Sequence, residues 1–205
     1  HALGQAAARG SELALHGIDA WRDSEAGRFE KAEVTALTGQ ERIGVRMHWL
    51  YFNERSPQEL DSAGFDYDST CGYNDAGGYR AGTSQAFRFL NARTLMELPL
   101  AIMDTALLYR GRMNLDRSQA LQRCVAVVET MQRRGGTLVI DWHDRSLAPE
   151  RQWGQLYAGL LNEVTTRHHV WFATAGDVVK WYRWRRSIRF RVASNCRVTF
   201  PAAAR

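Results

Sequence analysis

The stretch Gly135–Ser146, GGTLVIDWHDRS, decides how this chain is read. Two glycines close a long helical pattern, and Thr137–Asp141 then has the apolar, β-branched character of a buried strand. Trp142, His143, Asp144 and Arg145 follow at once. In open or barrel α/β sheets, ligands sit beyond the carboxyl ends of the strands, so side chains just past a strand are where chemistry collects. A histidine placed there, between two aspartates and beside a tryptophan, is better set for proton transfer than any other in the chain. The plain alternative is a histidine packed at a strand end with its hydrogen bond satisfied. What separates the two is the recurrence of similar clusters along the chain.

Working outward, Asp116 and Gln119 form a capping box before a helix whose Leu121, Cys124, Val125, Val128 and Met131 repeat at helical spacing. Glu150–Thr166 reads as another helix, then Val170–Ala173 as a short strand. Thr174 and Asp177 open a last helix carrying Val178, Trp181 and Tyr182. Upstream, His1–Arg9 is helical and stops at Gly10, Ser11–Leu15 is a strand delivering His16, and Ser24–Thr38 is a helix closed by Gly39. Ile43–Trp49 is a strand with Arg46 and His48 on one face, since residues two apart share a side. Ser56–Ala63 is a helix with Pro57 in its first turn, followed by strands over Phe65–Asp68 and Leu95–Met103. Residues 188–205 read as an edge strand or hairpin with a frayed end. Strands separated by helices predict βαβ units and a parallel sheet, open or closed, within one domain spanning residues 1–205.

Composition is that of an ordinary globular chain: 205 residues, 45% apolar and 24% charged, enough to bury a core without disulfides. Cys71, Cys124 and Cys196 form no CxxC or metal pattern, and no apolar run approaches the roughly 18 residues of a membrane span. With no signal peptide in the residues given, the chain reads as cytoplasmic in preference to secreted. The net charge of +5 includes an arginine run, Arg183 to Arg191, interleaved with Trp181 and Trp184. Its helical spacing favours a docking face with snorkelling arginines over a nucleic-acid patch, and no nucleic-acid partner is expected.

By strand end, the polar groups are His16 and Asp19, Arg46 and His48, Asp66 and Asp68, Asp104, then Asp141, His143 and Asp144. If the strands are parallel neighbours these gather on one rim. Imidazole and carboxylate together suit a divalent cation such as zinc, and metal-assisted hydrolysis needs a carboxylate base, a cation for the oxyanion and an acid. Each has its plain counterpart: Arg46 could pair with Asp68, and Asp66 and Asp68 could cap a turn. The Gly-rich loop after Asp68 holds Tyr73, Tyr79 and Phe87, too aromatic for a disordered segment, and is expected to line the same cleft with Arg80 anchored on Asp68.

In order, ELALH (Glu12–His16), GVRMHWLYF (Gly44–Phe52), GFDYDSTCGYNDAGGYRAGT (Gly64–Thr83), ELPLAIMD (Glu97–Asp104) and VIDWH (Val139–His143) resemble the segments of the polysaccharide deacetylase (NodB-homology) superfamily, in its bacterial branch. The resemblance implies a distorted, incomplete (β/α) barrel and a metal-dependent hydrolase that removes acetyl groups from a polysaccharide or amino-sugar glycan. It places His16 in the family's metal motif, Arg46 where an arginine orients the catalytic carboxylate, and His143 as general acid. Two departures follow. Ala20 stands where the family's second metal histidine belongs, so His48 or Asp19 must substitute, or the metal is bound weakly. The first motif, carrying the base and a metal aspartate, is missing, as though the first βα unit lay upstream. The expected site is therefore His143, Arg46 and Asp141 for catalysis, His16, His48 and Asp19 for zinc, and Tyr67, Asp68, Arg80 and Trp142 for substrate. A catalytically silent glycan-binding member of the same fold is the other reading; oligomeric state is left open.

Overall fold

The computed structural model describes residues 2–166 and 170–189. The predicted strand or hairpin over 190–205, the pair His168–His169 and Cys196 lie outside the described residues. Short parallel strands alternate with helices: α1 (Ala2–Ala8), β1 (Leu15–Gly17), α2 (Ser24–Thr38), β2 (Val45–Met47), α3 (Ser56–Ala63), β3 (Tyr67–Asp68), β4 (Met96–Glu97), β5 (Leu100–Met103), α4 (Asp104–Leu108), α5 (Arg117–Arg134), β6 (Val139–Asp141), α6 (Gly154–Thr165) and α7 (Ala175–Ser187). Sheet order is β1-β2-β3-β4 in one run and β5-β6 in another, all pairs parallel. Among the described residues these strands do not close on themselves, so the expected incomplete (β/α) barrel is what the chain builds.

The strand predicted as one piece over Leu95–Met103 is two. Pro99 falls between β4 and β5, and a residue without an N–H cannot continue a ladder. The break splits the sheet and lets β5 turn to pair with β6, with a register shift between Leu100 and Ile102. The strand predicted at Ser11–Leu15 sits later, at Leu15–Gly17, because Glu12 is drawn away to α7. Its carboxylate accepts from the Gly176 N–H in the first turn of that helix (2.7 Å) and from the Tyr67 hydroxyl (2.9 Å). Val170–Ala173 forms no strand.

The helices follow their sequence signals. The Asp116–Gln119 capping box is present, Thr174 caps α7 by accepting from the Asp177 N–H, and Gly39 and Gly64 close α2 and α3 in the left-handed region. One core packs β5 and α4 against α5 and α6, with Ile102, Leu107, Cys124, Val128 and Leu160 fully buried; another packs Ile43, Val45, Met47, Leu60 and Phe65 under α2 and α3. α7 docks as the arginine spacing suggested. Arg183 donates to Asp66 (2.6 Å) and to the Asp66 and Thr94 carbonyls, while Arg186 donates to the Ala86 carbonyl. No helix among the described residues is long and apolar enough to cross a membrane.

Candidate active site

Parallel pairing brings together the carboxyl ends of β1 and β2 and, in the other sheet, those of β5 and β6. The Arg46–Asp141 contact joins the two, and the polar groups there meet as three adjoining pairs. The first is His143 with Asp104. β5 runs straight into α4, so Asp104 opens that helix directly beyond the strand, fully buried. His143 lies two residues past β6, and Met103 and Asp141 are register partners, so the two strand ends arrive together. His143 Nδ1 lies 2.7 Å from Asp104 Oδ1, and the His143 backbone N–H donates to Oδ2 at 2.9 Å. Both carboxylate oxygens thus grip one residue, fixing the ring with Nε2 left for another partner. The hydrogen bond to Asp104 raises the His143 pKa above its ordinary value, against the burial that would lower it. Burial works against the charged form of Asp104, yet the hydrogen bonds from His143 hold its pKa below the usual carboxylate value.

The second pair is Arg46 with Asp141, 3.2 Å apart, both side chains largely buried. Arg46 is placed by Ser69, whose carbonyl accepts from Nε and whose hydroxyl accepts from Nη2, each at 3.0 Å. One end of the guanidinium is thus anchored in the β3 turn and the other offered to the carboxylate. The third pair is His16 with His48. His16 and Arg46 are register partners across β1 and β2, while His48 begins a tight turn (His48–Leu50) in which Trp49 and Leu50 both take positive φ. His16 Nε2 and His48 Nδ1 are 2.9 Å apart, one ring nitrogen donating to the other. Burial lowers the His16 pKa, the neighbouring His48, Arg46 and His143 reinforce the shift, and Asp141 opposes it. One imidazole of the cluster is thereby biased toward the cation and another toward the neutral, ligand-competent form.

The expected residues therefore divide. His143, Arg46, Asp141, His16 and His48 come together. Asp19 does not: its carboxylate turns to Arg22 at 2.5 Å, and its backbone N–H is held by Glu30. Among the described residues no three His, Cys, Asp or Glu side chains are grouped to hold a metal ion. Tyr67 and Asp68 lie in the interior instead of lining a cleft. The Tyr67 ring covers Gly44 and its hydroxyl is spent on Glu12. Asp68 is fully buried, hydrogen-bonded by the Thr70 hydroxyl and facing the equally buried Glu97. Burial raises the pKa of both, and Asp68 Oδ2 and Glu97 Oε2 have no other partner, so one proton shared between the carboxyls satisfies the pair. Arg80 cannot reach a carboxylate sealed in this way; it donates at 3.4 Å to the Gly72 carbonyl. Trp142 stacks on Tyr157 of α6, ring centroids 5.1 Å apart.

Asp104 is the member of this cluster that reading strand ends noted but left out of the expected site. Its signal was present, an acidic residue closing the apolar run LPLAIM, but nothing in the spacing tied it to a histidine 39 residues away.

No protein-family model and no curated protein matches the sequence. Among solved structures, the fold is similar to that of a Mycobacterium smegmatis protein assigned as a polysaccharide deacetylase. The TM-score is 0.66 at 20% identity, over 89% of this chain and 66% of the other. This is a polysaccharide deacetylase fold. The chain spans about two thirds of that polysaccharide deacetylase structure, and at this identity the likeness speaks for the fold alone.

Proposed function

We propose that the chain carries a deacetylase centre, hydrolysing an acetyl amide or ester of a sugar, with Asp141 as general base and His143 as general acid. The observation that carries this reading is the adjacency of the Asp104–His143 and Arg46–Asp141 pairs. One is a histidine whose ring is fixed by a buried carboxylate that raises its pKa; the other is a carboxylate in an ion pair with an arginine. In the reaction Asp141 takes a proton from water as the water oxygen bonds to the acyl carbon. His143 Nε2 then gives its proton to the departing amine or alkoxide as the C–N or C–O bond breaks, and acetate leaves. Arg46 keeps Asp141 oriented throughout.

His16 and His48 are where a divalent cation, zinc by donor type, would be held. Their nitrogens are already within ligand-sharing distance, and burial favours the neutral form of His16. When bound, such a cation polarises the acyl carbonyl. The test is release of acetate from N-acetylated glucosamine oligomers and from acetyl esters with added zinc. His143→Ala and Asp141→Asn should each lower the rate by about 10²–10⁴. Zinc uptake followed by calorimetry should be lost in His16→Ala and in His48→Ala. A second reading, a glycan-binding protein without hydrolysis, draws on the missing third ligand among the described residues. Glycan binding with no acetate release under any metal would favour it.

A further inference from the structure

Beside His143, three arginines converge on Tyr109. Arg145 sits in the turn Asp144–Leu147 that directly follows His143, and its guanidinium donates to the Tyr109 hydroxyl at 2.9 Å. Arg151 donates to the same oxygen at 2.9 Å. Two cations sharing one neutral acceptor have their donor nitrogens within about 6 Å of each other, a distance at which like charges repel. Arg112 lies over the Tyr109 ring, 5.6 Å from its centroid, and donates to Thr105, the residue after Asp104.

Among the described residues none of the three has a carboxylate within ion-pair distance. Asp144, next in the chain, accepts from the Arg145 backbone N–H, and Glu150 is exposed and pairs with none of them. The cluster is nevertheless built to hold its shape. Arg151 lies against the rings of both Tyr109 and Trp153, at 5.3 and 5.1 Å, and those rings meet edge to face at 5.5 Å. Since the Tyr109 oxygen accepts from both arginines, its own O–H is left over as a donor, with no acceptor among the described residues. Two guanidiniums gathered at one phenol, with the phenol proton free to donate, form a donor set for an oxyanion. It adjoins the chemistry along the chain, since Arg145 stands two residues past His143 in the turn that His143 opens.

We propose that Arg145, Arg151 and Tyr109 form an oxyanion-binding subsite beside His143, which takes the phosphate or carboxylate substituent of an acidic sugar. The substrate half of this statement rests on the deacetylase reading; the anion binding does not. The full chain is titrated with inorganic phosphate, glucuronate and neutral glucose, following calorimetric heat and tryptophan fluorescence, since Trp153 lies against Arg151. Saturable binding of phosphate or glucuronate is expected, weakening as salt is raised, with none for glucose. Tyr109→Phe and Arg151→Gln should each weaken it about tenfold or more, as loss of a charge-assisted contact does. Arg28→Gln, on α2, should leave it unchanged. Should Arg151→Gln unfold, the exposed Arg145→Gln serves the same purpose.

In kinetics, N-acetylglucosamine 6-phosphate and N-acetylglucosaminuronic acid are compared with N-acetylglucosamine. A tenfold preference for one acidic sugar, carried in KM and abolished by Arg145→Gln, is expected, and which sugar shows it tells phosphate from carboxylate. Absence of saturable anion binding, or binding indifferent to all three substitutions, overturns the subsite. Anion binding without any acetate release keeps the subsite and sinks the deacetylase reading. Acetate release blind to substrate charge, without anion binding, does the reverse.

Discussion

Replacing Asp104 with Asn keeps the shape of the side chain and removes its charge, which isolates what that charge does to His143. In the native protein a buried carboxylate accepts from His143 Nδ1 at 2.7 Å and from its backbone N–H at 2.9 Å. A hydrogen bond to a charged group contributes about 1.5–3 kcal/mol and a neutral one about 0.5–1.5, so the substitution should cost about 1–2 kcal/mol. The lower end applies because the His143 side chain is 33% exposed. The loss should depend on pH. His143, with its pKa raised on folding, contributes stability that is complete below its unfolded value near 6.5 and is lost as pH rises through the folded value. Asp104, with its pKa lowered, contributes stability present above about 4 and lost as pH falls through its folded value.

The difference between native and Asp104→Asn stability should therefore be largest between about pH 4 and 6.5 and shrink above it. Denaturant unfolding at several pH values measures this, and NMR titration of the His143 ring should show its pKa falling, since the carboxylate hydrogen bond that raises it most is gone. Acetate release, on the proposed function, should drop about 10²–10⁴-fold as a correctly poised acid is lost. An unmoved His143 titration, or a stability difference flat from pH 4 to 9, would refute the assignment of the dyad.

Three further outcomes follow from the packing. Gly44→Ala would set a Cβ 1.9 Å from the Tyr67 ring, and the ring is tied to Glu12, so a loss of about 3 kcal/mol and a Tm fall of roughly 6–12 °C are expected. A Tm within 2 °C of native, measured by calorimetry, would mean the ring is not held there. Burial raises the pKa of Asp68 and Glu97, so their contribution is greatest below the unfolded carboxylate range and is lost as pH rises through the folded values. Glu97→Gln should accordingly flatten the fall in stability toward high pH, read by urea unfolding across pH 4–8, and an unchanged slope would count against the shared proton. Arg80→Lys should shift stability by no more than about 0.5 kcal/mol, because its hydrogen bond among the described residues is a long one to the Gly72 carbonyl. A larger loss in urea unfolding would point to a carboxylate partner.

Much of this protein was legible in the chain before any fold was known, because it depends on near neighbours. Apolar period and caps located α5 and the start of α7, and α2 and α3 to within a residue or two. Glycines 39 and 64 marked their ends, and the run TLVID before a histidine located β6. Helix propensity, capping and strand alternation act over a few residues, so the local sequence carries them. The alternation of these elements was enough to require parallel strands and to put His16, Arg46, His48 and His143 on one rim.

What each side chain then meets was decided elsewhere. Pro99 was visible, but that it would divide the sheet depended on β6 being there to receive β5. Asp104 and His143 are 39 residues apart, and Arg46 and Asp141 still farther. They are joined by strand register, which is set when whole faces bury together. Tyr67 and Asp68 read as a polar, aromatic strand end fit for a ligand. They are interior because Gly44, just before β2, leaves room for the ring, and Glu97 of β4 faces the Asp68 carboxyl. Burial is a property of the assembled layers, and it is burial that turned these two from site residues into core.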